Sequence, residues 1–246
     1  MKLLWISDAD NTLWDTNRVF AESQLGMLEF VENACNIQVE TNDRLQYLRE
    51  LDQKIASLHH LCLRYPAELL IEALFMRAHG TPLVKSARNA ISKGLDKTDK
   101  PIKGAADEFR KSISQTPPLR DGVLLGLEKL RKTKATIIVA TEGGLGRVRK
   151  HISDHGLTDF IDLSIETTKT RNFYARCRNL NKEAIPWCIG DQITRDITPA
   201  VEAGFKGLYF PGGFSPSWEL KQNSLQTFIT VDSYVDGVDY ALNTKL

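Results

Sequence analysis

Two aspartates, Asp8 and Asp10, stand two residues apart in "WISDADNTLWDT", directly after the apolar run Leu3 to Ile6. Neighbouring carboxylates repel and raise each other's pKa, so such a pair is easier to keep where a cation, or a proton held by one member, offsets the cost. The chemistry on offer is therefore cation binding or proton sharing. The competing reading is a turn, in which Asp and Asn side chains cap their own backbone.

What decides between these readings is the set of elements that must carry the pair. Leu3 to Ile6 has the form of a short buried strand ending in a polar loop. From about Thr16 to about Ser114 the patterning is helical, with no convincing strand. Phe20, Leu25, Leu28 and Val31 fall near one face, and Leu45, Leu48, Leu51, Ile55, Leu58 and Leu61 recur at three- and four-residue steps. "PAELLIEALFMRAHG" has Pro at its start and Gly at its end, as a helix should. "SKGLDKTDKPIKG" reads as a polar loop and "AADEFRKSISQ" as one more helix.

After "TPPLRDG" the pattern changes. Helix "VLLGLEKLRKT" precedes strand "ATIIVAT", helix "LGRVRKHISDHG", strand "FIDLSIE" and helix "RNFYARCRNLN". Strand "IPWCIGD", helix "ITPAVEAG" and strand "KGLYFPG" follow, then a short helical piece "SWELKQNS", and "FITVDS" leads into a last turn or helix. Strands alternating with helices of this length predict a parallel sheet with crossover connections. The expected architecture is an α/β, Rossmann-like parallel-sheet core, residues 1–15 and 117–246, with an all-helical domain, residues 16–116, inserted after the first strand.

Ligands of open parallel sheets sit at the carboxyl ends of the strands. Asp8 and Asp10, then Thr141, then Asp191 all follow apolar runs of similar form, "LLWIS", "TIIVA" and "PWCIG". Lys169, in "IETTKTRNFYARC", lies just beyond another strand and before a helix. Asp196 is five residues past Asp191, where the next helix should begin.

These residues carry a resemblance. "DADNT" resembles the D-x-D-x-T motif of haloacid dehalogenase-like hydrolases, and "IIVAT" their second motif, an apolar strand ending in Thr or Ser. "TTKTRNFYARCRNL" is similar to the lysine motif, and "CIGDQITRDITPAVEAGF" to the acidic fourth motif. "PPLRDGVLLGLEKLRK" resembles the helix preceding motif two. The motifs occur in order across the core, and the helical insert lies where many members carry a cap. Two positions depart from the pattern: Ser7 stands where an aromatic often precedes the first Asp, and Glu142 where Asn or Asp often follows the Thr.

The resemblance implies a Mg²⁺-dependent phosphatase that hydrolyses a small phosphomonoester through an aspartyl-phosphate intermediate. It implies Asp8 as nucleophile and Asp10 as the group that protonates the leaving oxygen and then deprotonates water. Thr141 and Lys169 would hold the phosphoryl oxygens. Asp8, the Asp10 backbone carbonyl and Asp191 would hold Mg²⁺, with Asp196 as an outer or alternative acidic ligand. Lys150, in the helix after motif two, competes for the lysine role; the spacing of Lys169 to Phe173 and Tyr174 favours Lys169.

The alternatives are a phosphoryl-transferring mutase, which keeps every one of these groups, and a haloacid dehalogenase, against which Asp10 and the acidic fourth motif argue. A receiver-type signalling domain also combines Asp, Thr, Lys and Mg²⁺. Its phosphorylated Asp sits on a middle strand, whereas Asp8 ends the first.

Composition narrows the partners. Lys+Arg 32 against Asp+Glu 31 leaves a formal net charge of +1, so no global field favours nucleic acid or an anionic membrane. The densest basic cluster, Lys129, Arg131, Lys132 and Lys134, reads as the solvated end of a helix. The partner expected is a small phosphorylated metabolite, with no nucleic acid and no membrane. "MKLLWIS" is too short an apolar run for a signal peptide, and no stretch approaches a transmembrane length. Cys35, Cys62, Cys177 and Cys188 form no C-x-x-C pair and read as buried or semi-buried thiols of a reducing compartment. A cytoplasmic location is expected. Gly143, Gly144 and Gly146 read as a turn opening a helix, His59 and His60 as surface or core histidines, and Trp14 as a packing residue.

Overall fold

The computed structural model describes residues 2–62, 65–95, 99–213 and 228–244. These divide into two compact units, one of residues 2–17, 116–213 and 228–244, the other of residues 18–62, 65–95 and 99–115.

The first unit is built on a strand that is apolar on both sides. In β1 (Leu3–Asp8) every residue is buried. Successive side chains point to opposite faces: Leu3 and Trp5 join one apolar cluster, Leu4 and Ile6 another. A strand buried on both faces belongs in the middle of a parallel sheet covered by helices.

The sheet has six strands in the order β3-β2-β1-β4-β5-β6, every pair parallel. The others are β2 (Thr136–Thr141), β3 (Leu163–Glu166), β4 (Ile185–Gly190), β5 (Lys206–Tyr209) and β6 (Phe228–Thr230). The chain starts on β1, winds outward through β2 and β3, then returns to β4 on the other side. That reversal at β1 is the switch point at which such sheets open a ligand crevice.

Five helices of the second unit's sequence come between β1 and β2: α1 (Thr16–Cys35), α2 (Arg44–Leu58), α3 (Ala67–Ala78), α4 (Leu83–Lys93) and α5 (Lys100–Ile113). Then follow α6 (Val123–Lys132), α7 (Leu145–Asp154), α8 (Arg171–Leu180), α9 (Thr198–Glu202) and α10 (Tyr234–Asn243). Val123 and Leu127 of α6, Val148 of α7 and Val238 of α10 pack on the face of Trp5 and Val139. Tyr174 of α8 and Ala200 of α9 pack on the face of Ile6 and Cys188. The helical unit has its own core, in which Leu28, Leu48, Leu51, Ile55, Ile71 and Leu74 are buried.

Several local expectations are corrected. The polar loop expected over 92–104 is in part helix, because Asp99 and Pro101 open α5 at Lys100. Helix α4 was not anticipated; few large apolar residues mark it, although Pro82 starts it and Gly94, at φ 66°, ends it. Helix α2 stops at Leu58, which is exposed, as is Leu61. Phe20 is also exposed, whereas Leu28 and Val31 are buried. Phe228–Thr230 forms a sixth strand. Cys62 is exposed, not semi-buried, at φ 48°. The expected helical piece 217–224 lies outside the described residues. Among the described residues, no helix is long and apolar enough to cross a membrane.

Candidate active site

Asp8 ends β1 on the face that α8 covers, because alternation puts it with Leu4 and Ile6. Lys169 sits just before α8, on the same side. Its ammonium donates to Asp8 Oδ1, and to Asp196 Oδ1 at 2.7 Å. Thr12 Oγ1 donates to Asp8 Oδ2 at 2.9 Å. Both oxygens of Asp8 are thus held, one by a group four residues on and the other by a group 161 residues away. Lys150, the competing lysine, is on the exposed surface with Asp154 at 2.5 Å.

Asp191 directly follows β4. Carboxylate oxygens of Asp8, Asp191 and Asp196 all lie within 4.8 Å of one another, and all three residues are buried. Asp196 is carried by a π-turn, Ile193–Ile197, a geometry frequent at functional sites. Its Oδ2 accepts from Gln192 N at 2.9 Å. Close approach here depends on two glycines. A Cβ at Gly190 would lie 2.5 Å from Asp196 Cγ, and one at Gly212 would lie 2.6 Å from Asp191 Oδ2. Gly190→Ala should therefore displace Asp196 and lower stability by about 1–3 kcal/mol, as overpacking does. Urea unfolding checks this; an unchanged midpoint would mean that Asp196 gives way freely.

Three buried carboxylates share one buried cation. Burial drives the Asp8 carboxyl up to about 7, Lys169 opposing the rise and Asp196 adding to it. Burial, with Asp8 and Asp196 as like charges, drives Asp191 up to about 9. Burial disfavours the Lys169 ammonium, but its two carboxylate partners outweigh this and raise it well above its ordinary value. The centre lacks positive charge, and its donors are hard oxygens. Both features fit an ion such as Mg²⁺. Asp8 and Asp191 would hold it. Asp196 lies within the same 4.8 Å group and also accepts from Lys169 and Gln192 N.

Asp10 is not one of the three clustered carboxylates, and its side chain is held by other partners. Its Oδ2 accepts from Arg147 Nη2 at 2.5 Å, and its Oδ1 from Trp14 Nε1 at 3.0 Å and Thr16 Oγ1 at 3.1 Å. Thr141, at the end of β2, is buried and accepts from Gly143 N at 2.9 Å, which leaves its own hydroxyl proton free to donate. Glu142 Oε1 accepts from Lys169 N at 3.1 Å, tying the lysine loop to the end of β2. Ser7 points to the other face and donates to the carbonyl of Asp8 at 2.7 Å.

The structure therefore brings Asp8, Lys169, Asp191 and Asp196 into one cluster, with Asp10 beside it in the β1 loop and Thr141 on the adjacent strand end. Thr12, Thr16, Arg147 and Arg120 were not anticipated. Arg120 donates to the carbonyls of Asn11, Phe210 (3.2 Å) and Pro211 (2.7 Å), joining the loops after β1 and β5. Only Thr12 had a visible signal, as the last letter of "DADNT".

The strand order is that of an open, doubly wound parallel sheet, here with an acidic centre at the carboxyl end of β1, and the structure shares its fold with solved haloacid dehalogenase-like hydrolases. The chain is similar over 98% of its length to a haloacid dehalogenase-like family hydrolase from Xanthomonas campestris, covering 95% of that chain at 15% identity and TM-score 0.63. A Bacillus subtilis protein assigned to the HAD hydrolases and bound to magnesium is matched over 99% of both chains, at 16% identity and TM-score 0.61. A predicted phosphatase from Clostridium acetobutylicum is matched over 99% of this chain and 100% of that one, at 19% identity and TM-score 0.54. No family model and no curated relative matches the sequence.

Proposed function

We propose that the protein is a Mg²⁺-dependent phosphatase acting on a small phosphomonoester through a phosphoaspartate at Asp8. The observation that carries this is the buried cluster at the end of β1: a carboxylate gripped by Lys169 and Thr12, with two further carboxylates within 4.8 Å. The fold likeness to HAD hydrolases and phosphatases supports it.

In this reading Asp8 attacks phosphorus, the bond from phosphorus to the leaving oxygen breaks, and Asp10 gives that oxygen a proton. Water then attacks the phosphoaspartate, Asp10 takes its proton, and the bond to Asp8 breaks to restore the carboxylate. Lys169 and the Thr141 hydroxyl hold the equatorial oxygens, where charge must be stabilised. Asp8 and Asp191, with the Asp10 carbonyl, hold Mg²⁺ and Asp196 supports Lys169. The ion supplies charge neutralisation and orients the phosphoryl group. The acidic cluster favours phosphate chemistry over dehalogenation, because the carbon–halogen centre attacked in a haloacid is uncharged and needs no cation to relieve its repulsion with the Asp8 carboxylate, whereas a phosphate does. The mutase alternative would keep the same groups and pass the phosphoryl group to a second substrate. The helical unit is read as a cap that selects substrate. Substitutions in it should change relative kcat/KM for a large metabolite against a small aryl phosphate.

A panel of phosphorylated metabolites and aryl phosphates, assayed for phosphate release with Mg²⁺ and with excess chelator, tests the function. Release that needs Mg²⁺ supports it; full turnover in chelator, or none on any phosphate, would overturn it.

The cation assignment also has a readout without turnover. Asp8 and Asp191 are raised from 3.8 to about 7 and about 9. The folded state then binds their protons more tightly than the unfolded state does. The metal-free protein should lose stability as pH rises from about 4 toward 9. Mg²⁺ relieves the repulsion, so it should raise the melting temperature more at pH 8 than at pH 5.5. Equal shifts at both pH values, or no shift, would contradict a cation at this cluster.

A further inference from the structure

Asp10 is positioned largely from one helix. Arg147 of α7 meets its Oδ2, and Trp14 Nε1 meets its Oδ1. Trp14 is fully buried and is fixed in turn by the same helix. Its ring meets His151 edge-on at 5.2 Å between centroids and lies nearly parallel to His155 at 6.4 Å. Arg147, His151 and His155 follow one another at four-residue steps, so they form one stripe along α7 and its C-terminal cap. His155 Nε2 is 2.8 Å from the Pro117 carbonyl. Neither ring nitrogen of buried His151 has a hydrogen-bond partner, so His151 acts on Trp14 by packing. One stripe thus supplies both the guanidinium that grips one oxygen of Asp10 and the rings that fix the indole gripping the other.

We propose that Arg147 is the positioning residue for Asp10: its guanidinium sets the direction in which that carboxylate exchanges protons with the leaving group and with water. This rests on the reading of Asp10 as the proton-exchanging group. A partly exposed ion pair adds little to stability. Orientation, by contrast, has large leverage, since a misplacement of about 1 Å at a reacting group can cost on the order of 100-fold in rate.

The test uses the full chain with Mg²⁺ and two variants, Arg147→Met, which removes the donors, and Arg147→Lys, which keeps one. kcat/KM is measured on phosphates of graded leaving groups, from 4-nitrophenol to a simple alcohol. A nitrophenolate leaves without a proton, whereas an alkoxide needs one. Arg147→Met should lose ~10- to 100-fold on the alkyl phosphate and less than about threefold on the nitrophenyl phosphate. Arg147→Lys should recover part of the alkyl loss. Equal losses across the series would assign Arg147 to phosphate binding or to structure, and no loss would make the ion pair idle; either result overturns the proposal. If Arg147→Met does not fold, the slope of Arg147→Lys against leaving-group pKa decides: steeper than wild type supports the proposal, and parallel to it overturns it. A wild-type protein that releases no phosphate from any member would overturn the underlying function as well.

Discussion

Asp8→Asn should give a folded protein whose turnover falls by a factor on the order of 10⁴ to 10⁶, the scale on which removal of a nucleophile acts. The amide keeps the shape of the carboxylate; its one oxygen can accept from Lys169, while its NH2 can donate to the Thr12 hydroxyl, which turns from donor to acceptor. It also removes one of three buried negative charges, so stability should hold or rise. Phosphate release and a thermal melt on the same preparation check both halves. Residual turnover within tenfold of wild type would remove Asp8 from the mechanism.

Lys169→Met should be damaging in a different way. Lys169 is the cation bonded to both Asp8 and Asp196, and all three side chains are at least nine-tenths buried. Removing one partner of a buried pair leaves charge without compensation, at a cost of about 3–5 kcal/mol. kcat should fall by about 10²- to 10³-fold through the lost phosphoryl contact. The stability loss should shrink as pH is lowered, because the carboxyls left behind take up protons and no longer need a counter-ion. Denaturant unfolding at pH 5 and pH 8, beside kcat, measures this. A variant equally stable at both values would show that the lysine does not balance the cluster.

The placement of the candidate site's groups was legible because each of them ends or follows a strand. Asp8, Thr141 and Asp191 each stand at the end of an apolar run, and a parallel sheet gathers such ends on one edge. Lys169 was separable from Lys150 only by the motif around it; the fold makes the difference plain, one lysine buried against two carboxylates and the other on the surface. What stayed hidden depends on contacts that leave no local pattern. Arg147 reaches Asp10 across 137 residues, and Arg120 joins three backbone carbonyls contributed by two loops. Helix α4 has few large apolar side chains, and β6 is three residues long, too short for a period to appear. The π-turn that carries Asp196 has no sequence signature separate from an ordinary helix start.

The proposed reaction requires a covalent bond between phosphorus and Asp8. During turnover of an aryl phosphate with Mg²⁺, rapid quenching and borohydride reduction convert an aspartyl phosphate to homoserine, which peptide mass spectrometry places in the sequence. Homoserine is expected at position 8, with none in Asp8→Asn and none when Mg²⁺ is chelated. A phosphoryl group trapped on any other residue, or steady turnover with position 8 never modified, would contradict the proposed reaction.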